Sequence, residues 1–109
     1  MIVCVPVGSD GAVDPRWGRA ARVALATVED GRITDWREVE VGWDVLHDTA
    51  GEGAHHARVV RFLRGNRVDV VVAHHMGAGM TRMLDTMGVT VKLGAAGDPR
   101  LEVLSAVSG

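Results

Sequence analysis

The run Val68-Asp69-Val70-Val71-Val72-Ala73 is almost entirely apolar and β-branched, and it closes on a pair of histidines, His74-His75. Such a run predicts a buried strand over residues 68–74. Helical patterns bracket it on both sides. From Glu52 to Arg64 the apolar residues Val59, Val60, Phe62 and Leu63 have helical spacing, and Gly65-Asn66 supplies a stop signal. Beyond the histidines, Gly77-Ala78-Gly79 opens a second helix in which Met80, Met83, Leu84 and Met87 stand at i, i+3, i+4 and i+7. A buried strand between two amphipathic helices is the signature of βαβ units, so most other fold classes are excluded at once.

The remaining segments fit that frame. Ile2 to Val7 reads as a first strand ending at the turn cluster Gly8-Ser9-Asp10-Gly11. Pro6 has no N–H to give to a ladder, which predicts an edge or a bulge at that strand end. Arg16 to Ala20 forms a short polar-aromatic bridge. The segments 22–28 and 32–41 flank Asp30-Gly31, the pair that type I′ hairpins favour. Ile33, Asp35, Arg37, Val39 and Val41 alternate imperfectly, as on a half-exposed strand. Residues 42–50 form a loop carrying Trp43 and His47, and residues 89–93 form the last strand. Asp98-Pro99 starts a final helix with Leu101, Leu104 and Val107 inward. The order β-β-β-α-β-α-β-α predicts one α/β domain over residues 1–109, an antiparallel hairpin continuing into parallel βαβ units.

Bulk properties narrow the function. With 109 residues, 47% of them hydrophobic, the chain can bury one core. A formal net charge of -2 gives no general attraction to nucleic acid or anionic membrane. No apolar run approaches the roughly 18 residues that span a bilayer. One Phe, three Trp and no Tyr leave no aromatic platform for stacking bases. A single cysteine excludes an internal disulfide and a Cys-rich metal knuckle, and it points to a reducing cytoplasm. The chain is expected to be a monomer or a weak homo-oligomer.

Four of the five histidines fall in two pairs, His55-His56 and His74-His75. In a βαβ unit the helix runs antiparallel to its strands. The start of the helix at residues 52–64 and the end of the strand at residues 68–74 therefore share one sheet edge. That rim is where ligand sites of open α/β sheets lie. The loop before the helix brings His47 to the same place. His56 shares a helix stripe with Val60 and Leu63, and adjacent strand residues point to opposite faces. We therefore expect His56 and His75 as the inward pair, His47 as a third arm, and His55 and His74 as substitutes should the faces be reversed. Three imidazoles with an open position suit zinc, copper or iron, or the outer metal of a cluster. The competing reading is that one member of each pair hydrogen-bonds locally and the other is solvated.

The opening Ile2-Val3-Cys4-Val5-Pro6-Val7, the bridge Arg16-Trp17-Gly18-Arg19-Ala20, the strand Val68 to Ala73 leading into Met76-Gly77-Ala78-Gly79, and Gly88-Val89-Thr90-Val91 follow one another in a fairly specific order. In this the chain resembles the dinitrogenase iron-molybdenum cofactor biosynthesis family over nearly its whole length. The resemblance implies a ribonuclease-H-like sandwich with a mixed sheet of about five strands, and a non-catalytic protein that carries a metal or metal–sulfur cluster between protein donors and acceptors. Two departures stand out. The family's bridge often reads His-Phe-Gly-Arg where this chain has Arg16-Trp17, and His74-His75 replaces residues that are small in many members. Ligation is therefore reorganised, and the metal of nitrogenase is not carried over. The resemblance does not extend to the Cys-rich radical-enzyme domain of larger relatives, so their chemistry is not implied.

Secondary signals have competing explanations. Backbone N–H groups at Gly77 and Gly79 could face an anion, with Arg16 and Arg19 balancing cluster charge. Close helix–strand packing and plain surface charge account for the same residues. Cys4 reads as a core residue, and so does the Met80, Met83, Met87 row; Met76, beside the histidines, is retained as a soft ligand. Trp17 and Trp43 flank the rim and are expected to cover it. Two other functions fit the same residues: a metal-dependent hydrolase using His47, His56 and His75 with Asp48 or Glu52 as base, and a metal-free interaction domain. A two-metal nuclease is disfavoured, because Asp69 begins its strand and lies at the opposite edge from His75.

Overall fold

In the computed structural model, which describes residues 1–49 and 51–108, the central strand β1 (Ile2–Val7) is buried along almost its entire length. It pairs antiparallel with β2 (Arg22–Glu29), with Cys4 opposite Leu25, and parallel with β4 (Val70–Val72), with Val3 opposite Val70. β3 (Arg32–Glu40) adds antiparallel to β2, and β5 (Thr90–Lys92) adds parallel to β4. The described residues thus form a mixed five-stranded sheet in the order β3-β2-β1-β4-β5. The β2–β3 turn is Asp30-Gly31 with φ of 52° and 74°, the two left-handed residues that a type I′ hairpin needs.

The helices are α1 (Trp43–Leu46), α2 (Glu52–Gly65), α3 (Ala78–Thr86) and α4 (Pro99–Val107), with a single 3₁₀ turn at Trp17–Arg19. Alternation along the strands sends Cys4, Val23, Leu25 and Val71 to one face, where they pack with Val59 and Leu63 of α2 and Met80 and Leu84 of α3. Val3, Val5, Ala24, Ala26, Val70 and Val72 face the other way, onto Val103 of α4. The result is three layers with the sheet in the middle. Asp98 caps α4 by accepting from the N–H groups of Arg100 and Leu101, at 2.9 and 3.4 Å, ahead of Pro99 in the first turn.

Several expectations need correction. Pro6 lies on the inner strand β1, and the edge expected at that strand end is confined to its β4 side. Met1 and Val28 exchange backbone bonds, so Val3, Val5 and Val7 are the residues bonded to β2. Pro6 therefore points its backbone toward β4, whose pairing stops at Cys4, and its carbonyl accepts from Asp14 N at 3.0 Å. The missing N–H falls where no ladder remains. On β3, the pairing jumps between Thr27 and Val28 and leaves Thr34 without a partner. Ile33 and Trp36 consequently pack on the α4 side and Val39 on the α2 side, which is why the alternation looked imperfect. On α4 the fully buried residue is Val103, whereas Leu101 is 65% exposed. The expected loop over residues 42–50 contains the one-turn helix α1; Ala50 lies outside the described residues.

Candidate functional site

The end of β4 and the start of α2 meet at one rim, as the βαβ geometry requires. Between them lies an open groove of about 730 Å³. Its walls are the 3₁₀ turn with Arg16 and Arg19, the segment after α1 with His47 and Asp48, the first turns of α2 with His55 and His56, and the β4–α3 connection with His75, Met76, Gly77 and Gly79. Four histidines line it. His74 does not; its side chain is exposed and its carbonyl accepts from Gly94 N.

The two histidines of α2 have different roles. The buried stripe of the helix is His55, Val59 and Leu63, spaced i, i+4 and i+8, so His55 and not His56 is the inward member. His55 Nε2 lies 2.7 Å from the Gly18 carbonyl, and Nδ1 lies 3.0 Å from Arg58 Nη1. A carbonyl can only accept and a guanidinium can only donate, so the network assigns the neutral Nε2–H tautomer. Neither ring nitrogen is left for a metal in this arrangement. His56 is half-buried, with Nε2 3.8 Å from Glu52 Oε1, and its ring sits close to α3: a Cβ placed on Gly79 would be 3.6 Å from Cε1. His47 Nδ1 lies 2.9 Å from Asp48 Oδ1, and its ring is 6.3 Å from that of His55. His75, in the connection after β4, is exposed.

His47, His56 and His75 thus share a groove without converging on a point. Among the described residues, no three His, Cys, Asp or Glu side chains stand close enough together to hold one ion. The opposite wall is cationic. Arg16 is largely exposed, 3.5 Å through Nε from Asp14, a buried carboxylate that also accepts from Arg16 N at 2.9 Å and so fixes the turn. Gly77 is the N-cap of α3 and gives no side-chain cap bond, the first turn of that helix carries no acid, and Gly77, Ala78 and Gly79 line the groove.

Beneath these groups lies an aromatic floor. Trp17 and Trp43 are both buried, 5.3 Å apart at 69°, and Trp43 meets Phe62 edge-on at 5.7 Å. They support the rim from below and do not cover it. The Trp17 indole N–H is a buried donor without a partner among the described residues. Met76 and Met80 are likewise buried at the groove wall. Cys4 is buried in the core and does not line the groove, and burial pushes its thiol pKa far up. The residue that the sequence reading passed over is Arg58. It lies one turn after His55 on α2, the i, i+3 spacing at which helix side chains meet, and that was the available signal.

The family model described as dinitrogenase iron-molybdenum cofactor matches residues 1–109. The chain belongs to that family. Among solved structures, a NifB candidate from Thermotoga superimposes with a TM-score of 0.72 at 24% identity, covering 99% of this chain and 88% of the other. The apo form of the orange protein from Desulfovibrio gigas superimposes with a TM-score of 0.74 at 22% identity, with the same coverage. These likenesses show a shared fold. No curated protein matches the sequence of this family member.

Proposed function

We propose that this member of the iron-molybdenum cofactor family is a non-catalytic carrier that holds a transition metal or metal–sulfur cluster in the rim groove. The observation that carries the reading is the wall composition: His47, His56 and His75 stand in one groove with Arg16, Arg19 and the uncapped start of α3. Imidazoles bind borderline metals, while cations and N–H groups balance the negative charge that a cluster's sulfide or oxo ligands bring. Family membership supports a cluster as the cargo.

The spread of the histidines favours a cargo of several atoms over a lone ion. A structural zinc site needs its donors about 2.0–2.1 Å from one centre. Here they are distributed around about 730 Å³ and each has a local carboxylate or solvent as neighbour. An open rim also lets a donor or acceptor protein reach the cargo, which transfer requires. We read the sheet order, with β2 antiparallel between β1 and β3, as supporting a ribonuclease-H-like fold for residues 1–109. The test is metal analysis of protein purified without a histidine tag. Co-purifying transition metal near one equivalent per chain or above supports the carrier; metal-free protein that takes up none when offered supports the interaction domain instead.

A further inference from the structure

We infer that His55 and Arg58 form a bracket that sets the width of the groove, acting as positioning residues and not as ligands. The two side chains rise from one turn of α2 and tie down both walls. Toward the first wall, the His55 Nε2–H donates to Gly18 O at 2.7 Å, the middle residue of the 3₁₀ turn between Trp17 and Arg19. Toward the second, Arg58 Nη1 donates to Leu46 O at 2.9 Å and Nη2 to Thr49 Oγ1 at 3.3 Å. Leu46 and Thr49 straddle His47, so the segment carrying that histidine is held on both sides. The Arg58–His55 bond at 3.0 Å joins the two halves.

Packing also joins these walls, through the edge-on contact of the buried Trp17 and Trp43, and the hydrogen bonds add fixed donor–acceptor pairs to it. The hydrogen bonds fix where the Arg16–Arg19 segment and His47 stand relative to His56, which leaves the same helix toward the groove. For cargo affinity this inference rests on the carrier reading; for the geometry of the walls it does not.

Amide hydrogen exchange of the metal-free protein tests the bracket. Asn places its amide where His Nδ1 lies and Gln places it where Nε2 lies. His55→Asn keeps an acceptor for Arg58 and loses Gly18, so exchange should rise about three- to ten-fold in residues 16–20 and stay near wild type in residues 43–49. His55→Gln keeps the donor to Gly18 and should restore residues 16–20. Arg58→Met should raise exchange in residues 43–49 by the same factor. Each variant is then titrated with Zn(II) alone, where weaker binding without loss of stoichiometry is expected. Exchange unchanged within two-fold in both segments for His55→Asn and Arg58→Met overturns the bracket. So does loss of a whole equivalent of Zn(II) in His55→Gln, which would make His55 a ligand. If the exchange pattern is as expected but the wild-type protein binds no Zn(II) or cluster, the bracket stands and the carrier reading fails.

Discussion

At the scale of single residues, burial decides which of the chemistry-bearing side chains are available. Cys4 is fully enclosed on the central strand, and desolvation disfavours its thiolate, so its pKa rises well above the ordinary thiol range. A thiol whose folded pKa is raised contributes stability that is complete below the unfolded value near 8.5 and is lost as pH rises above it. Stability of the protein should therefore fall between about pH 8 and pH 10 more than that of Cys4→Ala measured against its own neutral value. In the native state Cys4 should not react with a thiol reagent at pH 8, and it should react fully in denaturant. Rapid native-state labelling would contradict this. His55 and His56 make the same point about legibility. They are neighbours in sequence and lie about 100° apart on the helix, so apolar stripes could be drawn for either. Only the packed structure distinguishes the ring held by Gly18 and Arg58 from the ring left at the groove.

At the scale of elements, periodicity carried most of the information. The segments of α2 and α3 each show four apolar residues at helical spacing, and β4 shows an unbroken β-branched run, because each element packs its apolar face into the core. What periodicity could not show is where the ladder slips. The bulge at Thr34 and the direction of the Pro6 backbone depend on partner strands far away in sequence. α4 misled for a related reason: its apolar residues lie all around the helix, so only contact with β1 and β4 selects Val103 as the inward one. The energetics should rank accordingly. Leu84→Ala, which removes a fully buried side chain between α3 and the sheet, should cost about 2–5 kcal/mol. Asp98→Ala, which removes the α4 cap, should cost about 1 kcal/mol. Denaturant unfolding measures both, and a larger loss from the cap than from the core would contradict this layering.

At the scale of the whole molecule, topology does what no single motif could. A strand end, a helix start and two connections, far apart in sequence, reach one rim, and they bring with them four histidines, two arginines and a helix start without a side-chain cap. The arrival of the Arg16–Arg19 turn and the absence of His74 from the groove come from the packed structure; the meeting of the β4 end, the α2 start and the His47 segment was readable from the βαβ pattern. The failure of His47, His56 and His75 to meet at a single point was not, because it depends on side-chain directions and on their local carboxylates, Asp48 and Glu52. Among the described residues no helix is long and apolar enough to cross a membrane. The central claim is that imidazoles at this rim hold the cargo. Its most direct test is titration of the metal-free protein and of His75→Ala with Cu, Zn, Fe and a preformed metal–sulfur cluster, at pH 7.5 and at pH 5.5. Protons compete with metal for ligand nitrogens, so binding by the wild-type chain should weaken at least ten-fold at the lower pH, and His75→Ala should lose at least ten-fold at pH 7.5. Equal affinity at both pH values, together with an unimpaired variant, would contradict the account.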